Sequence, residues 1–325
     1  MVAGLSWETS MPRQFELNNR AAANGAADLT ILILTLNEEK HIRRCLASAF
    51  QVASRVLVVD SFSTDQTVEI AESLGAQVSR HEFKNQSAQL AWALEALPID
   101  TNWVMRVDAD EVISSSLATE IREKLRAAAP DTNGYLVHRL VCFGGKPIRH
   151  GGVSHWVLRI WRKGRAHMEQ RWMDEHMVLE SGRAARLQGE YFDDNLNNIA
   201  WWTSKHNGYS TREAIELLNS KYAFLPLSGI DGVLTGGAGS ARWLKENVYV
   251  HLPLGVRSVL YFAYRMIFRL GILDGRSGFV FHFLQGFWYR FLVDVKVREV
   301  ERRMAADNIG CAEAIRLEFG IDPLQ

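Results

Sequence analysis

Short runs of apolar residues alternate with amphipathic stretches along the first third of the chain. The apolar runs lie at about 29–34, 55–60 and 103–108, with a further strand expected near 76–80. Their length, their Val, Ile and Leu content and the turn residues after them are typical of strands buried on both faces of a sheet. The stretches between them carry apolar residues at helical spacing, as at Ile42, Cys45 and Ala49. This order predicts βαβ units and therefore an α/β fold with a mainly parallel sheet.

The C-terminal third has a different pattern, in which aromatic residues alternate with arginines. Residues 256–295 contain eleven aromatic residues, five arginines and only two acidic residues. Residues 257, 261, 265 and 269 read Arg, Tyr, Arg and Arg, and this fourfold spacing places them on one face of a helix. A second helix is expected at about 279–303. We predict an amphipathic hairpin that lies on a membrane with its arginines toward anionic headgroups; a buried helical pair or an oligomer interface is the alternative.

Composition and charge exclude several classes of protein. The 325 residues include 37 Lys and Arg against 37 Asp and Glu, so the chain lacks the basic surplus of a general nucleic-acid binder. Its three cysteines are far apart in the sequence, which excludes a disulfide scaffold and a cysteine-rich zinc site and indicates a reducing compartment. Neither the glycine motif of dinucleotide-binding enzymes nor that of P-loop enzymes follows the first predicted strand.

Polar residues gather where three of the predicted strands end. They are Thr35, Asn37 and Glu38 after the first strand, Asp60 and Asp65 after the second, and Asp108 and Asp110 after the fourth. Because ligands of open parallel sheets bind beyond the carboxyl ends of the strands, we predict one shared site at this edge. At each single position, a turn residue with no further role is the alternative.

Asp108 and Asp110 are the most informative pair at this edge. Two carboxylates separated by one residue at the end of a strand can share Mg²⁺ or Mn²⁺, whose other ligands are water and phosphate oxygens. Such a cation turns a diphosphate into a better leaving group. The D-x-D triplet alone is common, and its weight here comes from the apolar strand before it and the acidic turn beside it. Glu111 is expected to open the next helix.

Three segments together resemble the successive nucleotide-binding motifs of glycosyltransferase family 2. They read ILTLNEE at 33–39, VVDSFSTD at 58–65 and VDADE at 107–111. The resemblance implies the GT-A fold, an inverting transfer and a nucleotide-sugar donor, with a UDP-sugar expected first. It implies a nucleoside pocket lined by Thr35, Asn37 and Glu38, with Asp60 in contact with the base or ribose and Asp65 supporting the loop. It places Lys84 and Gln86 near the nucleotide or sugar. It also implies that Asp108 meets the ribose and the metal, and that Asp110 holds the metal.

The resemblance also divides the chain into parts. Residues 1–27 are expected to be a mobile tail, because they lack the basic start and apolar core of a secretory signal. Residues 28–220 are expected to form the catalytic domain, with 28–111 as its nucleotide-binding half and 112–220 as its acceptor half. Residues 221–325 are expected to be the helical region that associates with a membrane.

The acceptor side is implied by later motifs. An inverting transfer needs a carboxylate that deprotonates the acceptor hydroxyl. The D-E-H triplet at 174–176 resembles the base motif of a bacterial lipopolysaccharide and exopolysaccharide subgroup, so Asp174 and Glu175 are both candidates; a structural ion pair is the alternative. The acceptor is expected to contact Trp172, Trp201, Trp202 and Lys205. His206 is a further candidate metal ligand. Asn195 is expected to cap a helix. The glycine-rich loop at 143–152 either meets an acceptor phosphate or simply joins two strands.

These patterns predict an inverting glycosyltransferase that uses Mn²⁺ or Mg²⁺. Its acceptor is expected to be a hydroxyl of a lipid-linked glycan or of a lipopolysaccharide or exopolysaccharide, and its location the cytoplasmic face of the cytoplasmic membrane. A polyprenyl-phosphate sugar synthase, which needs no base, is the first alternative, and a non-catalytic membrane-docked subunit is the second. A nucleotidyltransferase would need a basic glycine-rich loop that is missing here. No nucleic-acid partner is expected, and a homo-oligomer remains open.

Overall fold

The computed structural model describes residues 25–168, 176–225 and 253–323. These residues belong to two compact units, which are described separately. The first unit contains 25–145, 155–168 and 176–196, and the second contains 146–154, 197–225 and 253–323.

Eleven strands occur in the described ranges. They are β1 (Ala27–Thr35), β2 (Ala53–Asp60), β3 (Gln77–Arg80), β4 (Trp103–Asp108), β5 (Glu111–Ile113), β6 (Thr132–Phe143), β7 (Lys146–Pro147), β8 (His155–Arg162), β9 (Ala166–Met168), β10 (Met177–Leu179) and β11 (Arg183–Asp193). In the first unit the large sheet has the order β3-β2-β1-β4-β8-β6-β11-β5. Strands β3, β2, β1 and β4 are parallel, and β8 is antiparallel to both β4 and β6. Strands β9 and β10 form a separate antiparallel pair.

Four helices flank this sheet: α1 (Ile42–Ala49), α2 (Thr67–Ser73), α3 (Gln86–Ala96) and α4 (Ser115–Arg126). Successive residues of a strand point to opposite faces, so a strand covered on both sides needs apolar residues at every position. In β1, Ile31 and Ile33 enter one buried cluster, whereas Leu32 between them enters the other. The continuous apolar runs therefore have a direct cause, and the predicted α/β fold with a largely parallel sheet is confirmed.

Helix α2 begins at Thr67, and the side chain of Asp65 accepts the Thr67 N–H at 3.0 Å. One local prediction in this unit is wrong. Glu111 was expected to open a helix, but it begins strand β5 and is buried. Helix α4 starts later, with Ser114 as the cap that accepts the Leu117 N–H at 3.2 Å.

The second unit is helical. Its α-helices are α5 (Ile199–Tyr222), α6 (Val256–Ala263), α7 (Gly275–Phe281), α8 (Tyr289–Asp307) and α9 (Cys311–Phe319). A π-helical turn, Tyr264–Phe268, extends α6, and another, His282–Trp288, joins α7 to α8. Apolar residues of α5, α8 and α9 form the core, among them Leu218, Val297 and Ile315. This unit confirms the predicted C-terminal helical region. Within the described ranges, no helix has the length and apolar character needed to cross a bilayer.

The arginine face predicted for the hairpin points in the wrong direction. Arg257 is 3% exposed and donates through Nε to Asp294 at 2.7 Å. Arg265 is 1% exposed and donates to Gln285 and, at 2.8 Å, to the ring of His282. The fourfold spacing was right, but polar partners on the facing helices turn these two arginines inward, whereas Arg269 of the same series is exposed. Several apolar residues of the hairpin, Phe268 and Ile272 among them, are left at the surface.

Candidate active site

The ends of β1, β2 and β4 lie side by side in the sheet. Thr35 is the register partner of Asp60, and Leu34 is the register partner of Asp108. Because the three strands are parallel, the turns that follow them leave the sheet at the same edge. The polar residues that the sequence places after these strands are therefore brought together at one site.

Asp60 ties the first two of these turns together. Its buried carboxylate accepts the Thr35 hydroxyl at 2.9 Å, the Ser63 N–H at 2.8 Å and the Ser63 hydroxyl at 2.5 Å. A carboxylate with three donors of this kind fixes the backbone around it. The expected contact between Asp60 and a base or ribose stays a prediction.

The loop after β1 is held in an unusual backbone conformation. Asn37 has φ of 56°, a region in which Asn is enriched among non-glycine residues. Its N–H donates to the Ser63 hydroxyl at 2.8 Å, and its side-chain oxygen accepts the Thr64 N–H at 2.8 Å. Asp65 accepts the Glu39 N–H at 3.1 Å. Neighbouring loops thus hold each other, and Asn37 is bound to protein atoms as well as being a predicted nucleoside contact.

Glu38 anchors a second connection from the same loop. Its carboxylate lies 2.6 Å from Nδ1 of the buried His41, and Nε2 of His41 accepts the Leu196 N–H at 2.9 Å. With Nε2 as acceptor, the Nδ1 position carries the proton and donates to Glu38. Glu38, a predicted nucleoside contact, therefore also fixes the segment that follows β11 through His41.

Asp108 is held between two buried arginines. Arg106 donates to Oδ1 through Nε at 3.1 Å and through Nη2 at 2.9 Å, and Arg159 donates to Oδ2 at 3.3 Å. Burial alone would raise the pKa of Asp108, but the positive charges of Arg106 and Arg159 outweigh it and hold the pKa well below its usual range. Asp108 is therefore an ionised carboxylate whose charge is already balanced within the protein.

Glu111 lies beneath Asp108 and is a site residue that the sequence reading missed. Its carboxylate accepts the Asp108 N–H at 2.9 Å and an N–H of Arg159 at 2.5 Å. Burial raises the pKa of Glu111 above its ordinary value; the ion pair with Arg159 opposes this rise and the nearby Asp108 reinforces it. The signal available in the sequence was the β-branched pair Val112-Ile113, which favours a strand after the acidic triplet.

Asp110 has different surroundings from Asp108. Its carboxylate accepts an N–H of Asn195 at 3.0 Å, and its backbone carbonyl accepts the Asp194 N–H at 3.1 Å. Arg44 contacts the Asp110 carbonyl at 3.3 Å and pairs with Asp194 at 2.6 Å. The expectation that Asn195 caps a helix is wrong, because Asn198 caps α5. Asn195 instead orients a predicted metal ligand.

The donor atoms at this edge fit a divalent cation that also binds phosphate. In the described part of the chain, no three His, Cys, Asp or Glu side chains are placed to hold a metal ion by themselves. Both oxygens of Asp108 contact arginines, whereas Asp110 contacts a neutral amide. Mg²⁺ and Mn²⁺ accept a site with one or two carboxylates when phosphate and water complete the shell. The residues present therefore fit a cation on Asp110 better than one shared equally with Asp108.

Gln86 contacts the same arginine network, and Lys84 precedes it by two residues. Gln86 is the first residue of α3, and its side-chain oxygen accepts an N–H of Arg106 at 3.1 Å. Both side chains are exposed. Gln86 is thus connected through Arg106 to Asp108, and Lys84, two residues earlier, provides a positive charge at the surface.

The predicted acceptor residues on α5 belong to the second unit. Trp202 stacks on His206 with ring centroids 3.5 Å apart, and His206 Nδ1 lies 2.9 Å from the Trp202 carbonyl. The ammonium group of Lys205 lies 4.7 Å from the centre of the Trp201 ring. Burial lowers the pKa of His206. The proposed metal contact of His206 and the acceptor roles of the other three stay predictions.

Trp172, Asp174 and Glu175 lie outside the described residues. The strands on either side of them are described, and Met168 at the end of β9 pairs with Met177 at the start of β10. The sulfur of Met168 lies 4.0 Å from Nη1 of Arg106, the arginine that holds Asp108. Met168, the last described residue before this segment, therefore lies beside the arginine that holds Asp108.

Comparison with known proteins agrees with this geometry. The family model described as Glycosyl transferase family 2 matches residues 30–194, which span β1 to the end of β11. The chain therefore belongs to glycosyltransferase family 2, and it is a glycosyltransferase. The match covers every strand end that forms the acidic edge.

Individual relatives extend the picture. An uncharacterized glycosyltransferase of Rickettsia typhi is 39% identical over 206 residues, 60% of this chain and 70% of that protein. The lipopolysaccharide core biosynthesis glycosyltransferase LpsC of Rhizobium meliloti is 29% identical over 202 residues, 59% of this chain and 72% of that one. Alignments with other Rickettsia relatives cover only about a third of those proteins.

Among solved structures, glucosyl-3-phosphoglycerate synthase from Mycobacterium tuberculosis, bound to Mn²⁺, UDP and its product, is 20% identical. The alignment covers 45% of this chain and 52% of that one, with a TM-score of 0.30. A match of this extent does not assign a donor or acceptor to this chain.

Proposed function

We propose that this glycosyltransferase is an inverting enzyme. It transfers a sugar from a nucleotide-sugar donor, a UDP-sugar first, to a hydroxyl of a lipid-linked glycan or of a lipopolysaccharide or exopolysaccharide acceptor. The observation that supports it most is the register of Thr35, Asp60 and Asp108, which gathers the acidic strand ends at one edge with Asp110 beside them. The similarity to LpsC, a lipopolysaccharide core biosynthesis glycosyltransferase, supports the choice of a lipopolysaccharide acceptor.

On the donor side, Asp110 holds Mn²⁺ or Mg²⁺ and Asn195 orients its carboxylate. A bound divalent cation neutralises the diphosphate and makes it a better leaving group. Asp108, kept ionised by Arg106 and Arg159, accepts hydrogen bonds from the ribose hydroxyl groups. The nucleoside lies along the β1 and β2 turns, with Lys84 and Gln86 near the donor sugar.

On the acceptor side, Asp174 or Glu175 takes the proton of the acceptor hydroxyl. The acceptor oxygen then forms a bond to the anomeric carbon, while the bond to the diphosphate oxygen breaks and the nucleotide leaves with the electron pair. One displacement inverts the anomeric configuration. Met168, which is the last described residue before Asp174 and Glu175, contacts Arg106, and this contact supports the role. Trp172, Trp201, Trp202 and Lys205 contact the acceptor glycan.

The test is nucleotide release from a panel of UDP-, GDP- and dTDP-sugars with a bacterial glycolipid extract, in Mn²⁺ or in EDTA. Metal-dependent release from one donor is expected. No release and no metal-dependent nucleotide binding across the panel would contradict the catalytic proposal and favour a docked, non-catalytic subunit.

Variants of the candidate bases separate the two kinds of acceptor. One of the two variants Asp174→Asn and Glu175→Gln should remove the base. That variant should lower the rate of sugar transfer about 10²–10⁴-fold, because proton transfer in the transition state is lost. Nucleotide binding, measured by calorimetry, should stay unchanged. If both variants keep full activity, a phosphate acceptor, and hence a polyprenyl-phosphate sugar synthase, replaces the hydroxyl acceptor.

A further inference from the structure

The tip of the helical hairpin carries a continuous stretch of exposed apolar side chains, which we name the tip patch. It consists of Leu260, Ile267, Phe268, Leu270, Ile272 and Leu273. These six side chains are between 50% and 76% exposed. Single exposed apolar residues are ordinary, but a cluster of them in sequence-adjacent turns marks an interaction surface.

The polar residues of the hairpin lie beneath the tip patch and hold it in place. The buried pairs of Arg257 with Asp294 and of Arg265 with His282 join its helices. Asp274 accepts the backbone N–H groups of Arg149 at 3.2 Å and of His150 at 2.9 Å. The apolar side chains are therefore presented by a fixed polar interior.

Glycines close this interior tightly. A methyl group on Gly151 would lie 2.1 Å from the His282 ring, and one on Gly271 would lie 2.8 Å from it. Gly151 also has φ of 74° and donates its N–H to the Arg269 carbonyl at 2.8 Å. Since both close approaches need a residue without a side chain, the backbone of the tip is fixed against the 146–154 segment of the same unit.

Within residues 256–295, the charged side chains exposed beside the tip patch are those of Arg269 and Arg276. The two acidic residues in this range are Asp274 and Asp294, whose side chains are 4% and 3% exposed and bond inward. An apolar surface with a basic rim complements the acyl boundary and anionic headgroups of a bilayer. Two copies paired through this surface would instead bring these arginines close to one another.

We propose that the tip patch inserts into the interface of an anionic bilayer, with Arg269 and Arg276 at the headgroups. Binding then depends mainly on the apolar side chains, and Arg257 and Arg265 serve as internal supports. This deepens the proposed function, which places the acceptor on a membrane, but its test needs neither donor nor acceptor.

The experiment is flotation of the full chain with vesicles of equal parts phosphatidylglycerol and phosphatidylcholine. The triple variant Phe268→Ser, Ile272→Ser and Leu273→Ser should lower the vesicle-bound fraction about tenfold, because binding scales with the apolar area that enters the interface. Leu317→Ser on α9 is the matched control, since Leu317 is 53% exposed and lies away from the patch in sequence; it should leave the bound fraction unchanged. Thermal unfolding of both variants verifies that they fold.

A second pair of variants tests the basic rim. Arg269→Gln with Arg276→Gln should lower binding to the anionic vesicles about threefold and reduce its dependence on salt, while binding to pure phosphatidylcholine stays the same. Arg302→Gln, an exposed arginine on α8, is the control.

Three outcomes overturn the proposal. The wild-type chain fails to float, or the folded triple variant floats as well as wild type, or wild type is a dimer in solution that the triple variant converts to a monomer without any change in flotation. If the chain floats as expected but releases no nucleotide from any donor, the tip patch is supported and the proposed catalytic function is the part that fails.

Discussion

The acidic edge of the sheet and the helical hairpin both contain arginine–carboxylate pairs in the interior, but the first presents a polar surface and the second an apolar one. In both regions an arginine and a carboxylate pair in the interior: Arg159 with Asp108 and Glu111 under the sheet edge, and Arg257 with Asp294 in the hairpin. At the sheet edge the residues of the neighbouring turns are polar, and Asp110 is one of them. In the hairpin the Gly255 N–H and the Ser258 hydroxyl also bond to Asp294, and exposed apolar residues such as Val259 lie on the neighbouring surface of the helix.

The difference shows what a buried ion pair does in each place. Taking two charges out of water is costly, so such pairs persist where their geometry and extra hydrogen bonds are good. At the sheet edge the pair fixes an anionic carboxylate near a site that suits a charged ligand. In the hairpin the pair removes charge from the surface and leaves it apolar, which suits a lipid.

The largest effect is expected from Asp110. Asp110→Asn should lower metal-dependent nucleotide release about a thousandfold, because charge stabilisation of the leaving diphosphate is lost. The measurement is the single-turnover rate with the donor found in the panel. Asp100→Asn, an exposed carboxylate paired with Arg55, should retain the wild-type rate. A variant at Asp110 with wild-type activity in Mn²⁺ would contradict the assignment of the metal.

Removing Arg159 tests the interior of the sheet edge. Arg159→Met should lower the free energy of unfolding by about 3–5 kcal/mol, since it leaves the buried Glu111 without its arginine and Asp108 with Arg106 alone. Denaturant unfolding followed by tryptophan fluorescence measures the loss. Adding Glu111→Gln should recover part of it, because the double variant leaves one fewer buried charge. Additive losses in the double variant would show that the two residues are not coupled.

Removing Arg257 applies the same test to the hairpin. Arg257→Met should cost about 3 kcal/mol of unfolding free energy, because Asp294 is then buried without its partner. The exposed Arg276→Met should change it by less than about 0.5 kcal/mol. Equal effects at the two positions would contradict the view that Arg257 is an internal support and return it to the surface face predicted from the spacing.

A smaller effect is expected from pH in the hairpin. Burial, reinforced by Arg265 and opposed by Asp274, lowers the pKa of His282 to about 4 from its ordinary value of 6.5. The unfolded chain therefore takes up a proton below pH 6.5 while the folded unit does not, so stability falls as the pH drops from 6.5 toward 4. Between about pH 7 and pH 5 the loss is about 2 kcal/mol.

The bonds of Asp274 to the 146–154 segment weaken in the same direction, because a lowered carboxyl pKa gives stability that is lost in acid. Unfolding of wild type and of His282→Asn at both pH values separates the two contributions. A His282→Asn variant whose stability falls with pH as steeply as wild type would assign the whole dependence to other groups.

The sequence predicted the sheet well because its pattern is local. The apolar runs at 29–34, 55–60 and 103–108 became strands whose alternate residues enter the two buried clusters, and parallel pairing then brought Thr35, Asp60 and Asp108 to one edge without further information. The D-x-D triplet was found because it directly follows such a strand.

What the sequence could not give depends on distant partners. The burial of Glu111 depends on Arg159, which lies 48 residues away, and the contact of Asn195 with Asp110 spans 85 residues. The hairpin shows the limit most clearly: periodicity identified the residues that share a helix face, but the positions of Asp294, 37 residues from Arg257, and of His282, 17 residues from Arg265, decide that these two arginines are buried.

The central claim is that a metal-bound nucleotide lies at the acidic edge with its cation on Asp110. Crystals grown with UDP and Mn²⁺, and measured at the manganese absorption edge, test it most directly. The account predicts one anomalous peak within coordination distance of the Asp110 carboxylate, about 2.0–2.3 Å, with UDP phosphate oxygens on its other side. Asp108 should stay paired with Arg106 and Arg159. A peak on other residues, or UDP bound away from the ends of β1, β2 and β4, would contradict the account.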